Sequence, residues 1–171
     1  MNVLFIGMPG AGKSTISSLI SNKMNKPCIE MDEYIEKEIN MPLQKYINLY
    51  GNEEFKKKEE TIIMSILKNA NNSIISPPGS IIYYQKVIDY ITNNDNYIII
   101  YLECSLNSIL KRTNNFKNRG VIMDTSLPNP YEVLYNERFP YYEQICNVKY
   151  NSELSLDTLI NICIKYIIKK G

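Results

Sequence analysis

The stretch Gly7-Met8-Pro9-Gly10-Ala11-Gly12-Lys13-Ser14 constrains this chain more than any other part of it. It satisfies G-x-x-x-x-G-K-[ST] at every fixed position. It also follows a short apolar run, Asn2 to Ile6, and opens a helix-like stretch from Lys13 to about Met24. Glycines let such a loop curl until its backbone N–H groups point inward at an anion. The helix behind it adds the partial positive charge of its N-terminus. Lys13 can then reach the terminal phosphates, and the Ser14 hydroxyl can ligate Mg²⁺. A chance glycine-rich turn would match the string without also matching the strand before it and the helix after it. The chain is therefore read as binding a nucleoside triphosphate.

The remaining segments alternate in a way that suits this loop. Pro27 to Met31, Ser73 to Ser76, Tyr97 to Leu102 and Asn147 to Tyr150 read as further strands. Helical spacing runs through about Asp32–Asn40, Leu43–Leu49, Glu53–Lys68, Gln85–Thr92, Ser105–Thr113, Tyr131–Gln144 and Leu156–Ile168. Strands without in/out alternation, separated by helices, predict a parallel sheet covered on both faces. The fold expected is a three-layer α/β domain with a central parallel five-stranded sheet, spanning residues 1–171 as a single unit. Asn114 to Pro130 is polar and poor in periodic apolar residues, as a lid loop would be.

Composition removes several alternatives. The chain has 171 residues, 19 Lys+Arg against 18 Asp+Glu, and no His. Without His there is no Ser-His-Asp or Cys-His nucleophile and no His-ligated metal. The balanced charge argues against nucleic acid or an anionic membrane as the main partner. Cys28, Cys104, Cys146 and Cys163 form no C-x-x-C pair and read as buried thiols of a reducing, cytoplasmic protein. Met1 leads straight into an apolar strand without a basic leader, so no signal peptide is expected. Only three of the basic residues are Arg: Arg112, Arg119 and Arg138. In so Lys-rich a chain each is a candidate for work that needs a planar fork.

A GTPase would carry N-K-x-D and D-x-x-G, and the chain has neither. A small-molecule kinase needs an acceptor pocket beside the loop and a cationic lid. Here the sequence resembles the shikimate kinase family. Glu30-Met31-Asp32-Glu33-Tyr34-Ile35-Glu36 looks like its D-x-D-x-x-I-E segment. Gly51-Asn52-Glu53-Glu54-Phe55-Lys56-Lys57-Lys58-Glu59 is similar to its G-E-x-x-F-R-x-x-E. Pro77-Pro78-Gly79-Ser80 stands where the family has a glycine-rich turn, and Arg138-Phe139-Pro140-Tyr141-Tyr142 matches R-x-P-x-Y. The matches occur in the family's order and cover residues 1 to about 150.

The resemblance implies a P-loop kinase domain with a lid at about 114–130, ATP as co-substrate and Mg²⁺ as cofactor. Gly10, Ala11, Gly12, Lys13, Ser14 and Thr15 would cradle the phosphates, with Ser14 on the metal and Glu30 supporting it through water. Asp32 would hold and deprotonate the acceptor hydroxyl. Arg138, Lys56 and Gly79 would hold the acceptor, Arg119 would close over the γ-phosphate, and Arg112 would contact the nucleotide. The activity implied is phosphorylation of shikimate to shikimate 3-phosphate by a cytoplasmic monomer.

Each assignment has a plainer counterpart. Asp32 could cap the helix that starts there, Lys56 could belong to a solvated face, and Arg138 could pair at the surface. Tyr83 and Tyr84 read as packing. Several positions depart from the family pattern. Glu30 replaces an Asp, Lys56 replaces an Arg and loses its fork, and Pro77 and Pro78 remove two N–H donors. The lid reads Arg119-Gly120-Val121-Ile122, where typical members carry R-P-L-L. Lid and turn together resemble a divergent branch with homoserine as acceptor, and Glu30, Glu59 or Glu60 could then receive its ammonium. A nucleotide-binding regulator without catalysis is the remaining alternative.

Overall fold

The computed structural model describes residues 1–112, 121, 123 and 126–171. Its centre is a five-stranded sheet of order β2-β3-β1-β4-β5, formed by β1 (Asn2–Ile6), β2 (Cys28–Glu30), β3 (Ile74–Ser76), β4 (Tyr97–Glu103) and β5 (Val148–Asn151). Every pairing is parallel, with Val3 opposite both Ile74 and Ile98. Parallel neighbours need crossovers, and helices supply them. They are α1 (Lys13–Met24), α2 (Met31–Ile39), α3 (Leu43–Tyr50), α4 (Asn52–Asn69), α5 (Gln85–Thr92), α6 (Leu106–Arg112), α7 (Pro130–Ile145) and α8 (Leu156–Lys170).

The three inner strands behave as their unbroken apolar runs predict. All of β1 and β3 is buried, and β4 is buried from Tyr97 to Leu102. The edge strands do not: β5 alternates half-buried and exposed residues, and β2 opens on an exposed Cys28. This corrects the expectation of four buried thiols. Cys104 and Cys163 are buried, but Cys28 starts an edge strand and Cys146 is half-buried beyond the end of α7.

Packing around the sheet fixes α1 and α4. Helix α1 lies against β3 and α8, while α4 lies against α2, α3 and α5. The Asn2 side chain clamps the turn after α4, donating to Ala70 O at 3.0 Å and accepting from Ser73 N at 3.0 Å. The Tyr97 hydroxyl donates to Leu67 O at 2.5 Å, joining β4 to α4. One element was missing from the sequence reading. A 3₁₀ helix, Gly79–Tyr83, follows Pro77-Pro78 and carries the chain from β3 toward α5. Among the described residues no helix is long and apolar enough to cross a membrane.

In open parallel sheets ligands bind beyond the C-terminal strand ends. Here those ends deliver the loop after β1, the start of α2 after β2, and the 3₁₀ helix after β3. Gly7 makes the first of these exits possible. It has φ of 146°, and a Cβ there would lie 2.7 Å from Leu102 O of the neighbouring β4. Gly7→Ala therefore combines backbone strain with a backbone clash, about 2–4 kcal/mol. The expected outcome is a melting temperature lowered by roughly 5–15 °C, and a variant that melts with the parent would refute this account of the loop.

Candidate active site

The residues singled out in the sequence gather largely around one cavity of 630 Å³, lined by Pro9 to Ile16, Glu30, Asp32, Gly79, Arg112 and Arg138 among others. The loop itself comes first. Ala11 N donates to Met8 O at 3.1 Å and Ile16 N to Gly12 O at 3.0 Å, closing the loop and starting α1. Gly12 caps α1 at φ 95°, and no side chain occupies the cap. A helix N-terminus of this kind is a ready place for an anion. Lys13 is buried, and its Nζ donates to Gly7 O at 3.0 Å and Met8 O at 3.2 Å, folding back across the loop. Ser14 and Thr15 are exposed.

The end of β2 supplies two acids. Glu30 is the half-buried N-cap residue of α2 but makes no side-chain cap. Burial raises its pKa, and the neighbouring Ser14 hydroxyl and the Lys13 charge oppose the rise. Asp32 sits in the first turn of α2 rather than at its cap, so the helix-cap alternative fails on position. Burial pushes Asp32 up to about 6, against the pull of Lys13 and with the push of Glu30 and Glu36. It is still mostly ionised at neutral pH, yet basic enough to take a proton.

The wall facing Asp32 is built by the 3₁₀ helix and α7. Arg138 is 1% exposed and makes no salt bridge among the described residues, so the surface-pair reading fails. Its Nε donates to the Tyr83 hydroxyl at 3.0 Å, and its Cζ lies 5.0 Å from the Tyr83 ring centroid. Gly79 packs directly beneath it. A Cβ on Gly79 would lie 2.8 Å from Arg138 Nη1, 3.1 Å from Pro9 Cδ and 3.2 Å from the Tyr142 hydroxyl. The Tyr142 hydroxyl donates to Gly79 O at 2.7 Å and pins the turn.

Glu59, the last residue of the second motif, is buried in the same wall. The Ser80 hydroxyl donates to its Oε2 at 2.6 Å, and the Tyr84 hydroxyl donates to the same oxygen. Burial pushes Glu59 up to about 7, with the two hydroxyls and Arg138 opposing and Asp32 adding to the rise. Ser80, Tyr83 and Tyr84 were not found by sequence reasoning. Their hydroxyls meet partners 21 to 55 residues away, and no local pattern encodes that.

Two assignments lie elsewhere. Lys56 does not line this cavity. Its ammonium pairs with Glu53 at 2.8 Å, one turn back on α4, beside a neighbouring cavity of 940 Å³ that Tyr83 and Glu137 also line. Arg119 and most of the lid lie outside the described residues; Val121 lines the main cavity. At the far wall Arg112 Nη2 donates to Ser152 O at 3.2 Å, beside Leu154, Leu156 and Leu159. That strip offers an apolar face and a guanidinium plane, a chemistry suited to a nucleotide base.

The family described as Shikimate kinase matches residues 9–168. The shikimate kinase of Staphylococcus aureus (strain MRSA252) is 28% identical over 152 residues, covering 89% of this chain and 84% of the relative. That of Francisella tularensis subsp. novicida is 29% identical over 147 residues, covering 86% and 82%. Among solved structures, shikimate kinase from Acinetobacter baumannii in complex with shikimate superposes with a TM-score of 0.87 at 19% identity, covering 99% of this chain and 94% of that one. Deoxyadenosine kinase from M. mycoides with bound dATP gives 0.62 at 20% identity, covering 98% and 99%. At these identities the two structures speak for the fold.

The acids have a cost that can be measured. A carboxyl whose pKa is raised on folding binds its proton more tightly in the folded state, so stability falls as pH rises from its unfolded toward its folded value. For Asp32 that window runs from 3.8 to about 6. Asp32→Asn removes the penalty and should melt higher than the parent at pH 8, by roughly 1–2 kcal/mol after allowance for partial exposure. At pH 4 the advantage should largely vanish. Thermal melts at both pH values test it, and an Asn variant less stable at pH 8 would contradict it.

Proposed function

The chain belongs to the shikimate kinase family, and from that premise we propose that it transfers the γ-phosphoryl group of ATP to a hydroxyl of shikimate. The observation that carries this reading is the single cavity joining the phosphate loop, Asp32 and the buried Arg138. Phosphoryl transfer is chiefly positioning and charge stabilisation. It needs cations and one acidic hydrogen-bond acceptor, and a chain without His can supply both.

In this reading the N–H groups of Gly10 to Thr15 hold the phosphates, and Lys13 exchanges the carbonyls of Gly7 and Met8 for phosphate oxygens. Arg138 and the N–H of Gly79 hold the acceptor carboxylate, which sets the acceptor hydroxyl against Asp32. Asp32 takes the hydroxyl proton as the oxygen meets the γ-phosphorus. Arg112 packs on the base, and Arg119 closes over the γ-phosphate. The residues also fit Mg²⁺. Ser14 adjoins Glu30, and the described residues contain no cluster of three metal-binding acids or thiols. That suits an ion held largely by phosphates and water. When bound, Mg²⁺ supplies neutralisation of phosphate charge, with Ser14 as ligand and Glu30 reaching it through water. The free cysteines support a reducing, cytoplasmic setting.

One observation favours a second acceptor. Glu59 places a further carboxylate beside Asp32, and an ammonium could meet it, as homoserine would present. Coupled ADP release with ATP and Mg²⁺, comparing shikimate with homoserine, decides between them. Turnover on shikimate is expected, turnover on homoserine alone would reassign the acceptor, and ATP binding without turnover on either would favour the regulator.

Three variants examine the assignment within that assay. Lys13→Ala should lower kcat by at least about 100-fold. The acid limb of kcat/KM should fall near pH 6, where Asp32 gains its proton, and should disappear in Asp32→Asn together with most of the rate. Arg138→Ala should raise the acceptor KM by roughly 10–100-fold, and an unchanged KM would remove its role.

A further inference from the structure

The proposed reading leaves Tyr83 without a task, yet Tyr83 is the residue on which Arg138 rests. A guanidinium can meet a carboxylate in two ways, side-on through Nε and one Nη, or end-on through Nη1 and Nη2. The Tyr83 hydroxyl occupies Nε at 3.0 Å. The same ring supports the guanidinium, 5.0 Å from centroid to Cζ. Nη1 is thereby held over Gly79, near enough that a Cβ there would meet it at 2.8 Å. The end-on edge is what remains for a ligand; it lies beside the Gly79 backbone, where the Tyr142 hydroxyl also interacts with the guanidinium.

The charges around this pair are few. Glu59 faces Arg138 from α4, and Glu137 of α7 adjoins the Tyr83 hydroxyl. Lys56 pairs with Glu53 and lines the neighbouring cavity that Tyr83 also lines. Of the other cations lining the main cavity, Lys13 lies in the phosphate loop and Arg112 beside Ser152. Among the described residues the acceptor wall therefore offers one fork, and its use depends on how that fork is aimed.

We infer that Tyr83 is a positioning residue that selects the end-on fork of Arg138 and aims it at the acceptor carboxylate beside Gly79. The inference rests on the reading that this cavity takes a carboxylate-bearing acceptor. Tyr83→Phe keeps the ring and removes the hydroxyl, while Tyr83→Leu removes both. For Tyr83→Phe the shikimate KM should rise roughly 10–150-fold, the loss expected for a hydrogen bond to a charged group. Its kcat and ATP KM should stay within about twofold, and Tyr83→Leu should be worse on the shikimate KM. A merely structural tyrosine would lower the melting temperature and leave the shikimate KM within twofold of the parent, and that result would overturn the inference.

A second measurement does not need turnover. In protein labelled with ¹⁵N-arginine, the Nε–H signal of Arg138, assigned by its loss in Arg138→Lys, should exchange slowly in the parent and at least about tenfold faster in Tyr83→Phe. Equal exchange in both would sink the inference even if shikimate is phosphorylated. If the parent does not phosphorylate shikimate, the proposed acceptor is wrong, and the exchange comparison still decides what Tyr83 does.

Discussion

The wall of the cavity beside Gly79 depends on a guanidinium that is buried without a salt bridge among the described residues. Arg138 is 1% exposed, and its neighbours are the hydroxyls of Tyr83 and Tyr142 and the Gly79 turn. Burying a charge is costly unless it is hydrogen-bonded. The fold meets that need with neutral donors and acceptors rather than with a salt bridge. Glu59 is treated the same way, its carboxylate held by the Ser80 and Tyr84 hydroxyls. Arg138 and Glu59 thus stay unpaired with each other, each held by hydroxyls. Pairing them directly would be cheaper and would spend the charge that an acceptor has to find.

The parallel sheet makes this arrangement possible in a short chain. Strands β1, β2 and β3 end on the same side, so the phosphate loop, Asp32 and Gly79 are delivered within one cavity by three consecutive exits. Arg138 arrives from α7, which packs on both β4 and the 3₁₀ helix. The close approach of Gly79 to Pro9 and Arg138 is where the phosphate side and the acceptor side touch. A side chain at residue 79 would force them apart, so the glycine there serves proximity.

What could be read in the sequence, and what could not, follows from the range of the interactions concerned. The phosphate loop is local. Its glycines, lysine and serine stand in eight consecutive positions, and its strand and helix are set by immediate neighbours. The inner strands were legible because burial on both faces leaves an unbroken apolar run. The boundaries of α5 were legible too, since apolar spacing ends where the helix ends. The edge strands misled because position in a sheet is not written in a strand's own residues, and Cys28 is exposed for that reason. The 3₁₀ helix was missed because five residues give no period to detect. Tyr83 and Tyr84 looked like packing because a tyrosine contributes an apolar ring to any pattern, and only the fold says where its hydroxyl lands.

Lys56 shows how the difference between a lysine and an arginine decides where a charge comes to rest. An Arg at that place could share its planar fork between two partners, but a Lys is a point charge that settles on the nearest carboxylate. Here that carboxylate is Glu53, one helical turn away. The exposed pair contributes little stability, so an acceptor could draw Lys56 off at small cost. In this structure, however, Lys56 lines the neighbouring cavity and not the one that holds Arg138. Among the described residues the wall by Gly79 offers one buried guanidinium, held by the Tyr83 hydroxyl and ring. Rigidity of that kind favours a ligand whose carboxylate and hydroxyl are themselves held at a fixed separation, because a flexible one would lose conformational entropy to match it. A cyclic hydroxy acid meets that condition, and an open-chain amino alcohol acid does not.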